Sequence, residues 1–506
     1  MTTDAIVVGS GPNGLAAAIT LAEAGRTVTV VEGAGQLGGA VATEELTLPG
    51  FRHDTFSSVY PATAASPVFA RWPLEQYGLR WVHPRYCYAH PLPDGRAAVL
   101  ARDVGETAVS LDALHPGDGE AWRRFVLPYV EHFDAWRDTM LSGFPPLTGP
   151  LKLFAALRLG GTLEWARLLL MPAHALAHEL FRADGARAWL YGAAMHGDVP
   201  PAGAGSAIAA AHLNVMGHAV GWPSPEGGAG RLTDALAGHL AALGGRTRTH
   251  ATVTRIATEH GRVVGVELEN GERLSAPVVI ADVVPHALLA LVGDALNGRY
   301  ATALRRYRYG PTTLKVDWAL SGPVPWTAPA AREAGTVHIG GAEREMLDAL
   351  APSGRRLAER PLLLFGQQSV ADPTRAPSGQ HTAWAYTHHD QDIDWEAETE
   401  RHVERVEAQI ERFAPGFRDR VLARHVQSPA DLQRRNPNLV RGDVGAGSYT
   451  LDQAIFRPLP SLTPYRTPVR GLFLGSAATF PGGAAHGVSG RAAARAALLE
   501  ARLRRR

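Results

Sequence analysis

An α/β fold of strand, glycine turn and helix units is predicted for these 506 residues by three observations. An apolar β-branched run at the N-terminus breaks into glycines and continues as a helix. A second glycine break, at Gly227-Gly228, again leads into a helix and a strand. A third apolar strand, followed by glycines and a helix, closes the chain.

Ala5-Ile6-Val7-Val8 is the first strand, and Leu15, Ala18, Ile19 and Ala22 follow at helical spacing. In the turn between them, Gly9-Ser10-Gly11-Pro12-Asn13-Gly14, Gly9 permits the bend and Gly11 lets backbone approach a pyrophosphate. Gly14 lets helix pack on strand, and the helix N-terminus offers N–H groups to an anion. Gly25 ends the helix. Thr27 to Val31 is the second strand, and Glu32 stands about twenty residues beyond the glycines, where a carboxylate accepts from ribose hydroxyls and disfavours a 2′-phosphate. These residues predict a dinucleotide site and leave FAD and NAD both open. Gly33-Ala34-Gly35-Gln36-Leu37-Gly38 fits the same spacing, but no helix follows it.

The next loop, Leu37-Gly38-Gly39-Ala40-Val41-Ala42-Thr43-Glu44-Glu45, lets backbone pass close to a bulky cofactor, an extension that NAD sites do not need. With this loop, Pro225-Glu226-Gly227-Gly228 and the segment from Gly471 to Arg491, the chain resembles the phytoene desaturase-like flavoproteins of the amine oxidase superfamily. Within them it is most similar to the group called pyridine nucleotide-disulfide oxidoreductase domain-containing protein 2, with the carotenoid ketolases beside it. The resemblance implies FAD as cofactor and a Rossmann-type, glutathione reductase-like FAD-binding domain formed by residues 1–65, 226–300 and 450–506. Residues 66–225 and 301–449 would form the inserted α+β substrate-binding domain. The implied activity is that of an FAD-dependent desaturase or oxidase, removing hydride from a C–H bond of a small apolar, isoprenoid or carotenoid-like substrate. Amine or amino-acid oxidation and a flavoprotein that mainly binds a partner are the alternatives. The "disulfide" of the group name does not carry over, because Cys87 is the only cysteine and no dithiol pair exists within the chain.

The resemblance assigns Gly38, Gly39 and Ala40 to the cofactor. After Gly227-Gly228, Leu232, Leu236, Leu240 and Leu243 form the apolar stripe of a helix, and Thr252 to Ile256 a strand. The resemblance places that strand on the adenosine side, with Val253 offering backbone contact to adenine. Arg262 to Glu267 and Arg273 to Ile280 read as strands, and a helix follows Pro285. Near the C-terminus, Leu472-Phe473-Leu474 is a buried strand, Gly475-Ser476-Ala477 follows it, and Pro481 to Val488 open the last helix. By resemblance this strand passes the ribityl-pyrophosphate and the helix N-terminus faces the flavin ring, where it would stabilise the negative charge of reduced flavin. Gly475, Ser476, Gly482, Gly483 and Val488 are therefore cofactor candidates. Two residues depart from the pattern: Ser476 stands where many relatives have an acid, and His486 where the nearest group has an apolar residue. A histidine beside the flavin is a candidate for moving a proton at neutral pH, against a structural role at a helix start.

In the inserted region, Thr312 to Leu320, Leu362 to Gln367 and His381 to Thr387 read as strands, and 121–141, 151–170 and 395–413 as helices. Lys315 is the first catalytic candidate, since the matching strand of amine oxidases carries a lysine that holds a water at flavin N5. A plain strand lysine would instead point to solvent. His388-His389-Asp390-Gln391-Asp392-Ile393-Asp394 has the composition of a metal cluster but reads as a solvated turn with Asp394 as helix N-cap, so no metal is expected there. His196 and Asp198 are candidate pocket residues, although a loop before Pro200-Pro201 explains them equally. The apolar stretch 151–181, interrupted by Arg158, Glu164 and Arg167, reads first as an amphipathic helix pair over the substrate cavity and second as a peripheral membrane contact.

Fifty basic against forty-nine acidic residues leave a net charge of +1, which gives no argument for nucleic acid. Hydrophobic residues at 45% and charged residues at 20% fit a globular chain with several domains. Met1-Thr2-Thr3-Asp4 enters the first strand with no basic leader, so a cytoplasmic location is expected. Stretches 199–225 and 471–490 lack charge but are broken by Gly, Pro and His, and neither reads as a membrane span. Arg502 to Arg506 suit a helix C-terminus. Oligomeric state is left open.

Overall fold

A computed structural model describes residues 3–351 and 356–503; Met1, Thr2 and Arg504 to Arg506 lie outside it. One sheet holds five parallel strands in the order Leu472–Leu474, Val279–Ala281, Ala5–Val8, Val28–Val31, Arg246–Arg248. Strand alternation divides its side chains. Ala5 and Val7 enter a core shared with the helices Pro12–Glu23, Gly230–Ala242 and Val488–Leu503. Ile6 and Val8 face the opposite core, beneath the helix Pro285–Val292 and the three-stranded antiparallel sheet of residues 253–275. Helices on both faces of a parallel sheet give the doubly wound α/β arrangement. The N- and C-terminal helices cross in contact: a Cβ on Gly490 would stand 1.8 Å from the Asn13 carbonyl oxygen.

The second sheet runs Val421–Gln427, Thr312–Leu320, His381–His389, Leu363–Gly366, Ala334–Ile339, Tyr86–Pro91, Ala97–Ala101, with the pairing of Ala334–Ile339 and Tyr86–Pro91 its parallel step. Along Thr312–Leu320, Leu314, Val316, Trp318 and Leu320 enter a core covered by the helix Trp395–Phe413. Thr313, Lys315 and Asp317 therefore fall on the other face, toward the parallel-sheet half. A helical layer between residues 118 and 220 encloses a third core.

Several expected boundaries change. The helix expected over 121–141 is two, Asp118–Glu131 and Phe133–Met140, parted at His132 (φ −111°, ψ 34°). The helix Thr148–Leu170 is interrupted at Arg158, whose φ of 57° no helix residue adopts. Arg273 to Ile280 splits into Arg273–Ser275 and Val279–Ala281 around Pro277, which has no N–H to give a ladder. Leu243 sits past the end of its helix and is exposed. His388 and His389 are not in a solvated turn: they end the strand His381–His389 and are largely shielded, whereas Asp394 caps the next helix through the Ala397 N–H.

Candidate active site

A cavity of about 1360 Å³ runs between the two sheets, more than the ~300–1,000 Å³ of a site for one small ligand, and so has room for a cofactor and a substrate together. Its first end is the glycine turn. Gly9 adopts φ 94°, and the helix Pro12–Glu23 has no cap from its own N-cap residue and no acid in its first turn; Asp282 takes the Gly14 N–H, and the rest of the positive end stays available to an anion. Gly9, Gly11, Pro12, Asn13, Gly39 and Ala40 all border the cavity. A Cβ on Gly39 would lie 3.3 Å from the Gly11 Cα, so the two bare backbones lie close together and a side chain on Gly39 would close on Gly11. Glu32 also lines the cavity, its carboxylate accepting from the Ser10 N–H (2.9 Å), the Ser10 hydroxyl (2.7 Å) and the Ala34 N–H (2.9 Å), with lone pairs left for ribose hydroxyls. Val253 borders the same end. These features fit FAD: Glu32 would hold the ribose, the bare turn the pyrophosphate, and Val253 the adenine side.

Gly14, Gly38, Gly475, Gly482 and Val488 serve behind the wall. A Cβ on Gly14 would meet the Gly9 carbonyl at 2.1 Å, and one on Gly482 the Arg457 guanidinium at 2.6 Å. One on Gly38 would stand 2.4 Å from Thr233, and one on Gly475 3.0 Å from Ala493. Val488 is buried as the first residue of the last helix. Ser476 and Gly483 do reach the cavity. The Ser476 hydroxyl accepts from the Ala478 N–H, which leaves its own proton to donate, and the Gly483 N–H donates to the Tyr449 hydroxyl at 2.7 Å.

His486 lines the cavity, but its Nδ1 accepts from the Val488 N–H at 3.1 Å, and burial lowers its pKa to about 4. It is therefore a neutral ring that caps the last helix, and the expectation of a proton carrier at neutral pH is corrected. Lys315 is buried on the cavity wall and does not point to solvent. Its Nζ donates to both oxygens of Asp317 (2.5 and 2.6 Å) and to the Asp54 carbonyl (3.1 Å). An ammonium has three donors, and all three are engaged, so none is left to hold a water.

Four functional residues escaped the sequence reading. Ser10 bridges Glu32 and the Gly38 N–H. Asn438 donates to the Asp282 carbonyl and accepts from the Val284 N–H. Arg375, fully buried, pairs with Asp54 at 2.9 Å and Asp372 at 2.7 Å, while those carboxylates take the Ala229 and Gly227 N–H groups. That network explains the Pro225-Glu226-Gly227-Gly228 motif as a junction that ties the two sheets together. The fourth, Asp282, ends the strand beside Ala5–Val8 and accepts from the Gly14 N–H at 2.8 Å. A residue directly after a parallel strand, next to the glycine strand, was the signal available for it.

Burial raises the Asp282 pKa from 3.8 to about 7; the Gly14 bond pulls it back and the nearby Glu32 charge adds to the rise. Between those values the folded chain holds a proton that the unfolded chain has released, so stability falls as pH rises from about 4 to about 7, with a full cost of roughly 4 kcal/mol above that range. Asp282→Asn, whose amide oxygen still accepts from Gly14, is expected to flatten urea-unfolding stability across that range. An unchanged pH slope in the variant would exclude this assignment.

The far end of the cavity is lined by His196, Asp198, Tyr386 and His388, and then by apolar residues including Leu141, Trp165, Leu169, Ile208, Leu213 and Met216. His388 stands 3.4 Å from Asp198, and burial lowers its pKa to about 4; His196 contacts His338 at 3.0 Å, and burial lowers it to about 3. Cys87 is buried with its thiol pushed up to about 12 by burial, and is inert.

A family model described as flavin containing amine oxidoreductase matches residues 13–498. The rat pyridine nucleotide-disulfide oxidoreductase domain-containing protein 2 is 28% identical, covering 97% of this chain and 92% of the relative. The neurosporene-forming phytoene desaturase of Rhodobacter capsulatus is 26% identical, covering 96% and 92%. An oxidoreductase from Methanosarcina mazei shares the fold, with TM-score 0.65 at 16% identity over 98% of this chain and 99% of that one.

Proposed function

The chain belongs to the flavin containing amine oxidoreductases, enzymes that use FAD, and from that premise we propose that it removes hydride from a C–H bond of an apolar, isoprenoid-like molecule. The observation carrying this reading is the apolar half of the cavity, from Leu141 and Trp165 to Met216, continuous with the cofactor half. A desaturation removes a hydride and a proton from adjacent carbons, and FAD, when bound, supplies the two-electron acceptor. The apolar wall orients the chain and excludes water. His196 and His388 are neutral rings at the boundary, where burial disfavours their protonation, so the departing proton passes to solvent and not to a stable imidazolium.

Entry lies under the helix Thr148–Leu170: Trp165 and Leu169 face the cavity, whereas Leu151 (69% exposed), Leu159 (65%) and Leu163 (62%) face outward. Among the described residues no helix is long and apolar enough to cross a membrane. The outward leucines would rest on a bilayer surface and draw substrate from it. The test is anaerobic bleaching of the flavin spectrum, with carotenoid precursors in phospholipid vesicles and with a set of amines. Bleaching by the isoprenoids, slowed at least ~10-fold in Leu151→Glu/Leu163→Glu only when substrate is in vesicles, is expected. Bleaching by amines alone would replace this reading with amine oxidation.

A further inference from the structure

We propose that His174, His178 and Glu343 form a binding site for a divalent transition metal of the zinc type, in the helical layer and outside the cofactor cavity. His174 and His178 stand one turn apart on the helix Ala173–Leu180, so both rings project from one face, with centroids 4.4 Å apart. Glu343 opens the helix Glu343–Leu350 across from them. Its Oε1 lies 2.7 Å from His178 Nε2 and 3.7 Å from His174 Nδ1, and the three donor atoms all lie within 4.8 Å of one another. Ligands at ~2.0–2.1 Å from a tetrahedral zinc stand about 3.4 Å apart, so the observed separations bracket what a bound ion requires and small side-chain rotations would seat it.

The donors and their supports match that ion. Two imidazoles and one carboxylate suit zinc and its neighbours, whereas calcium and magnesium take oxygen ligands. The Glu343 carboxylate is oriented by Arg187, whose Nη1 donates to Oε2 at 3.0 Å, and by the Tyr191 hydroxyl, 2.6 Å from Oε1. Burial opposes its charge, but hydrogen bonds from Tyr191, Arg187 and His178 outweigh burial and keep its pKa below the usual carboxylate value. Tyr191 also reaches His174 Nδ1 at 2.9 Å in the metal-free site, a contact that a bound ion would replace. The imidazole side is open, with side-chain exposures of 44% for His174 and 41% for His178, so an ion can enter and a water complete the coordination. A bound ion would tie the helix Ala173–Leu180 to Glu343–Leu350, and the free energy of binding would add to the stability of the helical layer.

Without metal, the same residues could form only a hydrogen-bonded ion pair, and pH separates the two states. Zinc displaces protons from its ligands and so binds more tightly as pH rises, whereas the metal-free hydrogen bonds take up no ion. The experiment is calorimetric titration of the chelator-treated, FAD-loaded full chain with zinc chloride at pH 6 and pH 7.5, together with the thermal midpoint with and without zinc. One zinc per chain at micromolar affinity, tighter at the higher pH and raising the midpoint, is expected. His178→Gln keeps an amide donor for Glu343, and Glu343→Gln keeps the side-chain shape. Each is expected to weaken binding at least ~10-fold and abolish the thermal shift, with the flavin spectrum unchanged. Absence of stoichiometric binding in the parent overturns the proposal. Parent-like binding in both variants also overturns it, since the ion would then sit elsewhere, for example at the His389–His402 pair.

Discussion

Gly11→Val is expected to give a folded protein that purifies without flavin, with FAD affinity reduced at least ~100-fold, equivalent to about 3 kcal/mol. The backbone at Gly11 has φ −59° and ψ 171°, which any L-residue adopts, so the substitution carries no conformational penalty. Its Cβ would meet Asp282 Oδ2 at 2.8 Å, the oxygen that takes the Gly14 N–H, so the carboxylate end must shift and that one bond lengthens while the backbone stays in place. The valine methyls are expected to crowd the helix N-terminus where a pyrophosphate would bind. Gly14→Val makes the contrast, because there the Cβ would stand 2.1 Å from the Gly9 carbonyl, where only the backbone itself could yield. The expected pair of outcomes is native far-UV circular dichroism without flavin absorbance for Gly11→Val, and loss of soluble folded protein for Gly14→Val. Gly11→Val that retains stoichiometric flavin would place the cofactor elsewhere.

The difference between those two glycines was legible in the sequence, since the roles of turn, anion approach and helix packing follow from spacing alone. So were the strands on either side, because a parallel strand buried on both faces must be apolar along its whole length, as Ala5–Val8, Val279–Ala281 and Leu472–Leu474 are. Long-range pairing was not legible. No local pattern brings Arg375 to Asp54, 321 residues away, or Asn438 to Asp282, 156 residues away, and both contacts decide how the two sheets meet. The histidines misled for the same reason. The composition of 388–394 looks solvated until the strand pairing places His388 opposite Thr313 and turns it to the cavity. His486 looked available for proton transfer until burial and the Val488 N–H fixed it as a neutral cap.

Lys315 carries the second large effect, and its logic is that of a buried charge pair. With Lys315 3% and Asp317 0% exposed, each charge is tolerated because of the other, although burial still raises the Asp317 pKa against the pull of the lysine. His53, 3.7 Å from Asp317, cannot take over as counter-ion at neutral pH, since burial first and the Lys315 charge second lower its pKa to about 3. Lys315→Met therefore strands a buried carboxylate, and a loss of roughly 3–5 kcal/mol in urea unfolding at pH 7.5 is expected. The loss should shrink toward acid pH, where Asp317 is protonated and the stranded charge disappears. In Lys315→Met/Asp317→Asn both charges are gone, and most of the stability should return; equal losses in single and double variants would mean that the pair contributes nothing through charge. The double variant also isolates chemistry from stability. If Lys315 only positions the Asp54 and Asp317 strands, flavin reduction in the stable double variant stays within a few-fold of the parent, whereas a large fall in that rate would make the ammonium itself a participant and require one of its three donors to leave the carboxylate during turnover.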